Sequence, residues 1–250
     1  MVEGDICTYQ PFFIYIAFVS QKATKTKRPQ KVAFTKKEDT TMQERKHLSE
    51  LVLTGLFAAI IIIMAFTPLG YIPLGVINAT IIQIPVIIGA LFCGPKKGVI
   101  LGFLFGLTSF LKNTITPASL SAFVFSPVLA ASQIGPKGIL YSTFICFVPR
   151  ILVGVVPYFI YIGLRKVIKA KPINFGIAGV LGAFTNTVLV MGSIYLLYKD
   201  AYAKALSVEP ELVAGVIGGI VSFNGVIEAV LSGFLVSAVG VVLYKIKPIK

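Results

Sequence analysis

The chain has 250 residues, 56% of them hydrophobic and only 13% charged, with a formal net charge of +13 and a mean hydropathy of +0.88. A water-soluble domain carries about 25% charged residues, so an ordinary soluble globule is excluded, and so is disorder over most of the chain. Three cysteines (Cys7, Cys93 and Cys146) without CxxC spacing give neither a disulfide scaffold nor a zinc site, which leaves a polytopic helical membrane protein.

Residues 1–48 read as a basic cytoplasmic extension, disordered over 22–41, and residues 49–250 as the membrane domain. The apolar piece at 10–20 is too short to span, and Glu3 and Asp5 rather than bases precede it, so it is not read as a secretory signal. Met42 opens a more usual membrane-protein start, MQERKHLSELVL, and 1–41 is expected to be dispensable.

Spans of about 20 mainly apolar residues follow in order. The first covers about 49–67 and ends at Thr67-Pro68; the second covers about 76–93 and ends at Gly94-Pro95. The third covers about 97–112. Residues 113–137 are expected to form a long loop dipping towards the membrane, its apolar piece broken at Ser126-Pro127. The fourth span lies within 138–166, interrupted by Pro149 and Pro157; the fifth covers about 175–198; the sixth lies within 214–244. The expected fold is all-α: six transmembrane helices with both termini cytoplasmic.

Charge supports that topology. With the N-terminus inside, eighteen bases are cytoplasmic: nine before the first span, Lys96 and Lys97, then Arg165, Lys166, Lys169 and Lys171, then Lys245, Lys247 and Lys250. Only Lys112, Lys137, Lys199 and Lys204 fall outside, a strong positive-inside bias. The bases sit in short runs beside apolar spans, where they meet anionic lipid; a nucleic-acid partner is rejected.

Catalytic chemistry has little to work with. There is no GxxxxGK[ST] phosphate loop, the single His47 lies in the polar flank, and no Asp falls within a span. The chain is therefore expected not to be an enzyme, and no metal, cofactor or catalytic residue is assigned.

Polar groups inside apolar spans are conspicuous, since an ionisable side chain costs about 2.5–3.5 kcal/mol on insertion scales. Arg150 (FVPRILVG) and Glu228 (FNGVIEAVL) stand out. Either Arg150 snorkels or pairs with Glu228, or it faces a solvated cavity and binds an anion through its planar fork. The amides Asn78, Gln83, Asn113, Asn186 and Asn224 serve either as interhelical glue or as the directed polar groups of a small-molecule pocket. Phe123, Phe125 and Ser126 on 113–137 are candidates for its lid. Gly55 and Ala59 make a small-xxx-small pair in the first span, which lets another helix approach closely.

The stretch LVLTGLFAAIIIIMAFTPLGYIPLGVINATIIQIPVIIGALFCGPKKGVILGFLFGLTSF, followed by FVPRILVG, resembles the substrate-binding S components of bacterial energy-coupling factor (ECF) vitamin transporters, over about residues 50–246. TPLGYIPLG and INATIIQIP look most like the pantothenate-specific branch. The resemblance implies a multi-pass subunit of the bacterial cell membrane that captures a small vitamin from outside. Its partners would be a transmembrane coupling subunit and two cytosolic ATPase subunits. An AxxxA pattern on the first span contacts the coupling subunit in the family; Gly55 and Ala59 fill it here, Gly departing from Ala. For pantothenate, the resemblance offers Arg150 for the carboxylate and Asn78, Asn186 and Asn224 for the rest, with Glu228 orienting Arg150 or bonding a ligand hydroxyl. Hydroxymethylpyrimidine and riboflavin are alternative ligands, and a stand-alone secondary transporter is an alternative function, though no inverted repeat supports it.

Overall fold

The computed structural model describes residues 48–73, 78–117, 119–246 and 248–249; of 72–73 and 78–79 it describes the backbone. The expected extension, its apolar piece and His47 lie outside these residues. The chain divides into Met1–Leu51 and Val52–Lys250; of the first unit only 48–51 are described, and they are helical.

Helix α1, Leu48–Phe66, buries Phe57, Ile61 and Ala65, a stripe at four-residue spacing. Pro68 forces Thr67 into extended backbone (φ −109°, ψ 160°) and opens a 3-10 turn, Pro68–Gly70. A two-stranded antiparallel hairpin follows, β1 Tyr71–Pro73 and β2 Asn78–Thr80, with Tyr71 opposite Thr80. Helix α2, Gln83–Cys93, comes next. Pro85 is tolerated at its third residue because the first-turn N–H groups have no intrahelical acceptor.

Gly94 turns the chain at φ +85°, a conformation open to glycine, and Pro95 starts α3, Pro95–Ile115. Two short helices, α4 Ala122–Phe125 and α5 Pro127–Ile134, lead to α6, Lys137–Val153. A break at Gly154–Val155 separates α6 from α7, Val156–Leu164. Helix α8 runs over 36 residues, Lys171–Leu206, and ends at Ser207 in a left-handed conformation. The last span is continuous: a 3-10 turn at Pro210–Leu212, α9 Val213–Ile220, a π turn at Val221–Gly225, and α10 Val226–Ile246.

Five helical segments among the described residues are long and apolar enough to cross a membrane. The second expected span is corrected: of 76–93, the described residues 78–93 hold β2 and the 11-residue α2, the helix about 16 Å long at 1.5 Å per residue and too short to cross alone. Every residue of α2 is buried, as befits a helix apolar all round. Residues 113–137 are likewise not one loop: α3 runs through Ile115, and α4 and α5 cover 122–125 and 127–134.

Packing explains why α2 need not span. Helix α3 packs on α6, α6 on α8 and α8 on α10, and α2 packs against all four, so these longer helices ring α2. Between apolar helices in lipid, close backbone approach replaces the hydrophobic effect as the cohesive force. Gly98, Gly102 and Gly106 of α3 face the backbone of α6; a Cβ on Gly98 would overlap the Gly154 carbonyl, and one on Gly102 the Arg150 carbonyl. Helix α2 fills the ring beside the first half of α3, where Gly89 meets Leu101, and beside Gly182 of α8, which meets Ile87. The other half is left open.

Candidate ligand cavity

That open half is a cavity with apolar walls and a few directed polar groups, the make-up of a small-molecule site. Four walls build it by helical periodicity. Helix α3 presents Ser109, Lys112, Asn113 and Thr116; α8 presents Asn186, Thr187, Val190 and Met191. The last span presents Ile220, Asn224, Gly225 and Glu228, across the π turn that rephases its two helical segments. Helix α6 presents Arg150. Tyr71 and Thr80 of the hairpin, with Ser119, Ser121 and Phe125, complete the lining.

Arg150 is held by the proline before it. Pro149 has no N–H, so the Ile145 carbonyl four residues back loses its helical donor. The Arg150 Nη1 folds back and donates to that carbonyl at 2.7 Å. The guanidinium then lies 5.5 Å from the Phe105 ring and 4.9 Å from the Phe125 ring, within cation–π range of both. Its Nε is buried without an acceptor. No ion pair forms with Glu228 among the described residues.

Glu228 has different neighbours. Its Oε1 accepts the Thr80 backbone N–H at 2.6 Å, and its Oε2 accepts the Thr187 hydroxyl at 3.2 Å. Gly225 permits that second contact: a Cβ there would sit 3.0 Å from the Thr187 methyl. Helix α10 thereby holds β2 and α8 through one carboxylate.

The mouth carries a second cation. Lys112 Nζ lies 4.4 Å over the Tyr71 ring, and the Tyr71 hydroxyl pairs with Ser109 Oγ at 2.8 Å. Burial pushes the Tyr71 phenol above its ordinary range, against a smaller opposing effect of the Ser109 hydrogen bond, so it stays neutral. The lining thus has two cations and one carboxylate, a net positive wall that one anionic group balances.

Six of the nine expected site residues line this cavity: Asn113, Phe125, Arg150, Asn186, Asn224 and Glu228. Asn113 Nδ2 donates to the Ser109 carbonyl at 2.8 Å, and the Asn186 Oδ1 is buried without a partner. Two of the nine do not line it. Gln83 is fully buried and donates to Ser232 Oγ at 3.3 Å, on the contact between α2 and α10. Ser126 caps α5, its Oγ accepting the Leu129 N–H at 3.4 Å. Asn78 lies on β2, and its side chain is outside the described residues. Phe123 packs edge-on against Tyr198 at 5.8 Å and is not part of the lining. Sequence reasoning missed Tyr71, Thr80, Ser109, Lys112, Thr116, Ser119, Ser121 and Thr187; the spacing of Ser109, Lys112, Asn113 and Thr116 on one helical face was the signal available.

Apolar helices around a polar, one-sided cavity define a membrane protein with a small-molecule site. Residues 49–240 match the family model of the ECF transporter substrate-specific component, and the chain belongs to that family. It is a transport protein, multi-pass in a bacterial membrane. Among curated relatives it is similar to the pantothenic acid transporter PanT of Lactococcus lactis subsp. cremoris, with 34% identity over 78% of this chain and 94% of the relative. It is also similar to the pantothenate transporter PanT of Leuconostoc mesenteroides subsp. mesenteroides, with 32% identity over 78% of this chain and 92% of the relative.

Proposed function

We propose that this chain is the pantothenate-capturing S subunit of an ECF importer. The similarity to two pantothenate transporters supports the ligand. The observation that carries the reading is the Arg150 guanidinium, buried at the cavity wall with one backbone acceptor and an Nε that has none. A buried cation left uncompensated is costly, and a ligand carboxylate completes it. Pantothenate offers one carboxylate, an amide and two hydroxyls. Arg150 takes the carboxylate, the unpartnered Asn186 Oδ1 accepts a ligand N–H or O–H, and Asn113, Asn224 and Phe125 shape the remaining wall. Glu228 accepts a ligand hydroxyl. Gln83 and Ser126 serve the framework instead, and Asn78 remains a candidate contact from β2.

In this reading six segments, α2 included, lie in the membrane with both termini cytoplasmic, and the cavity opens outward. Gly55 and Ala59 are exposed on α1, opposite its buried stripe, and dock the coupling subunit. Two cytosolic ATPases supply the energy; this chain performs no catalysis. Titrating the purified full chain with pantothenate, riboflavin and hydroxymethylpyrimidine tests the ligand. Saturable binding of pantothenate at far lower concentration than the others is expected, and tighter binding of either competitor refutes the assignment.

A further inference from the structure

Arg150 and Glu228 line the same cavity from different helices and share no hydrogen-bond partner. Arg150 sits among Phe105, Phe125 and the Ile145 carbonyl, whereas Glu228 sits between Thr80 and Thr187. Besides Thr80 and Thr187, the Gln83 amide bears on the Glu228 carboxylate, and a carboxylate has about four acceptor sites. At least one acceptor site is therefore left for a ligand O–H. Resting on the pantothenate reading above, we infer that Glu228 fixes the direction of the bound ligand and rejects any ligand carrying a second anionic group at its hydroxyl end, the phosphate ester of the terminal hydroxyl above all.

The chemistry is simple. Phosphorylation removes the O–H donor that Glu228 accepts and puts acceptor oxygens and like charge in its place. Turning the ligand round does not help, because its carboxylate then meets Glu228 while the phosphate meets Arg150. A monoanion has one orientation that satisfies both walls; a molecule anionic at both ends has none. Lys112, the other cation in the lining, lies over the ring of Tyr71, the strand partner of Thr80; its ammonium is engaged on that ring, whereas Glu228 meets the ligand hydroxyl directly. The consequence is a subunit that takes the free vitamin and leaves its phosphorylated product behind.

The test uses the full chain in nanodiscs at mildly alkaline pH, with pantothenate, its 4′-phosphate, and the dimethyl ester of that phosphate, which is neutral and bulkier. Native protein is expected to bind the phosphate at least about a hundredfold more weakly than pantothenate, with the dimethyl ester losing about tenfold or less. Glu228→Gln keeps an acceptor for the Thr80 N–H and a partner for Thr187, and is expected to narrow the gap between pantothenate and its phosphate by about tenfold or more. Equal rejection of the neutral ester and the phosphate by native protein would show that the added charge decides nothing and overturn the inference, even if the variant fails to fold. An unchanged gap in a Glu228→Gln protein that still binds pantothenate would overturn it too. Failure of native protein to bind pantothenate at all overturns instead the ligand assignment on which the inference rests.

Discussion

Arg150→Gln is the perturbation with the best-defined consequence. In the native chain one amino group of the guanidinium is committed to the Ile145 carbonyl at 2.7 Å, leaving the buried, unpartnered Nε and the second amino group for a ligand carboxylate. A charge-assisted hydrogen bond contributes about 1.5–3 kcal/mol net, and truncating one partner of a buried charge pair costs about 2–5 kcal/mol. The cavity is open on one side, so the lower part of that range applies: about 2–4 kcal/mol, or roughly 30- to 1,000-fold in Kd. The variant also strips the Ile145 carbonyl of its donor, which lowers stability by about 1–3 kcal/mol without any ligand. The neutral alcohol analogue of pantothenate separates the two effects. By calorimetric titration, native protein should prefer the acid over the alcohol, and Arg150→Gln should bind both about equally. Native affinity for the acid in the variant, or an acid preference that survives the substitution, would refute the role given to Arg150.

Other outcomes follow from packing. Gly102→Val places a side chain against the Arg150 carbonyl and should cost about 1–3 kcal/mol or more in unfolding free energy, whereas Gly55→Ala, with open space around the glycine, should gain about 0.5–1 kcal/mol. Thermal unfolding in detergent compares them. Replacing Gly55 and Ala59 together with Trp should leave vitamin affinity unchanged and abolish uptake by the assembled importer; lost binding with intact uptake machinery would mean that α1 presents the other face. Tyr198→Phe removes bonds to Ser142 Oγ at 2.9 Å and the Gly138 carbonyl at 3.0 Å, and should cost about 1–2 kcal/mol of stability while leaving affinity unchanged, since Tyr198 is not part of the cavity lining.

What the sequence discloses depends on how conspicuous a residue is in its surroundings. Arg150, Asn186, Asn224 and Glu228 stand out because a charge or amide in an apolar helix demands a partner. The demand does not say which partner answers it. Gln83 is as conspicuous as the others, yet Ser232 answers it across the contact of α2 and α10. Hydroxyl residues escape notice for the opposite reason: Thr114 and Thr185 satisfy themselves on carbonyls four residues back, so Ser109, Thr116 or Thr187 looks no different until the helices are assembled. Thr80 fell inside the expected second span, whereas it lies on β2. The apolar run 76–93 has the composition of a span, but the ring of longer helices buries α2 on every side. A helix enclosed by protein needs no bilayer-matched length, and that enclosure is a tertiary fact. The breaks at Pro68, Gly94-Pro95 and Ser126-Pro127 were legible because proline and glycine act locally.

Vesicle uptake of radiolabelled pantothenate tests the central claim most directly. This chain alone should bind the vitamin but not accumulate it under any imposed ion gradient, and accumulation should begin only when the coupling subunit, both ATPases and ATP are added. Accumulation by the chain alone would contradict the account and make it a self-sufficient transporter.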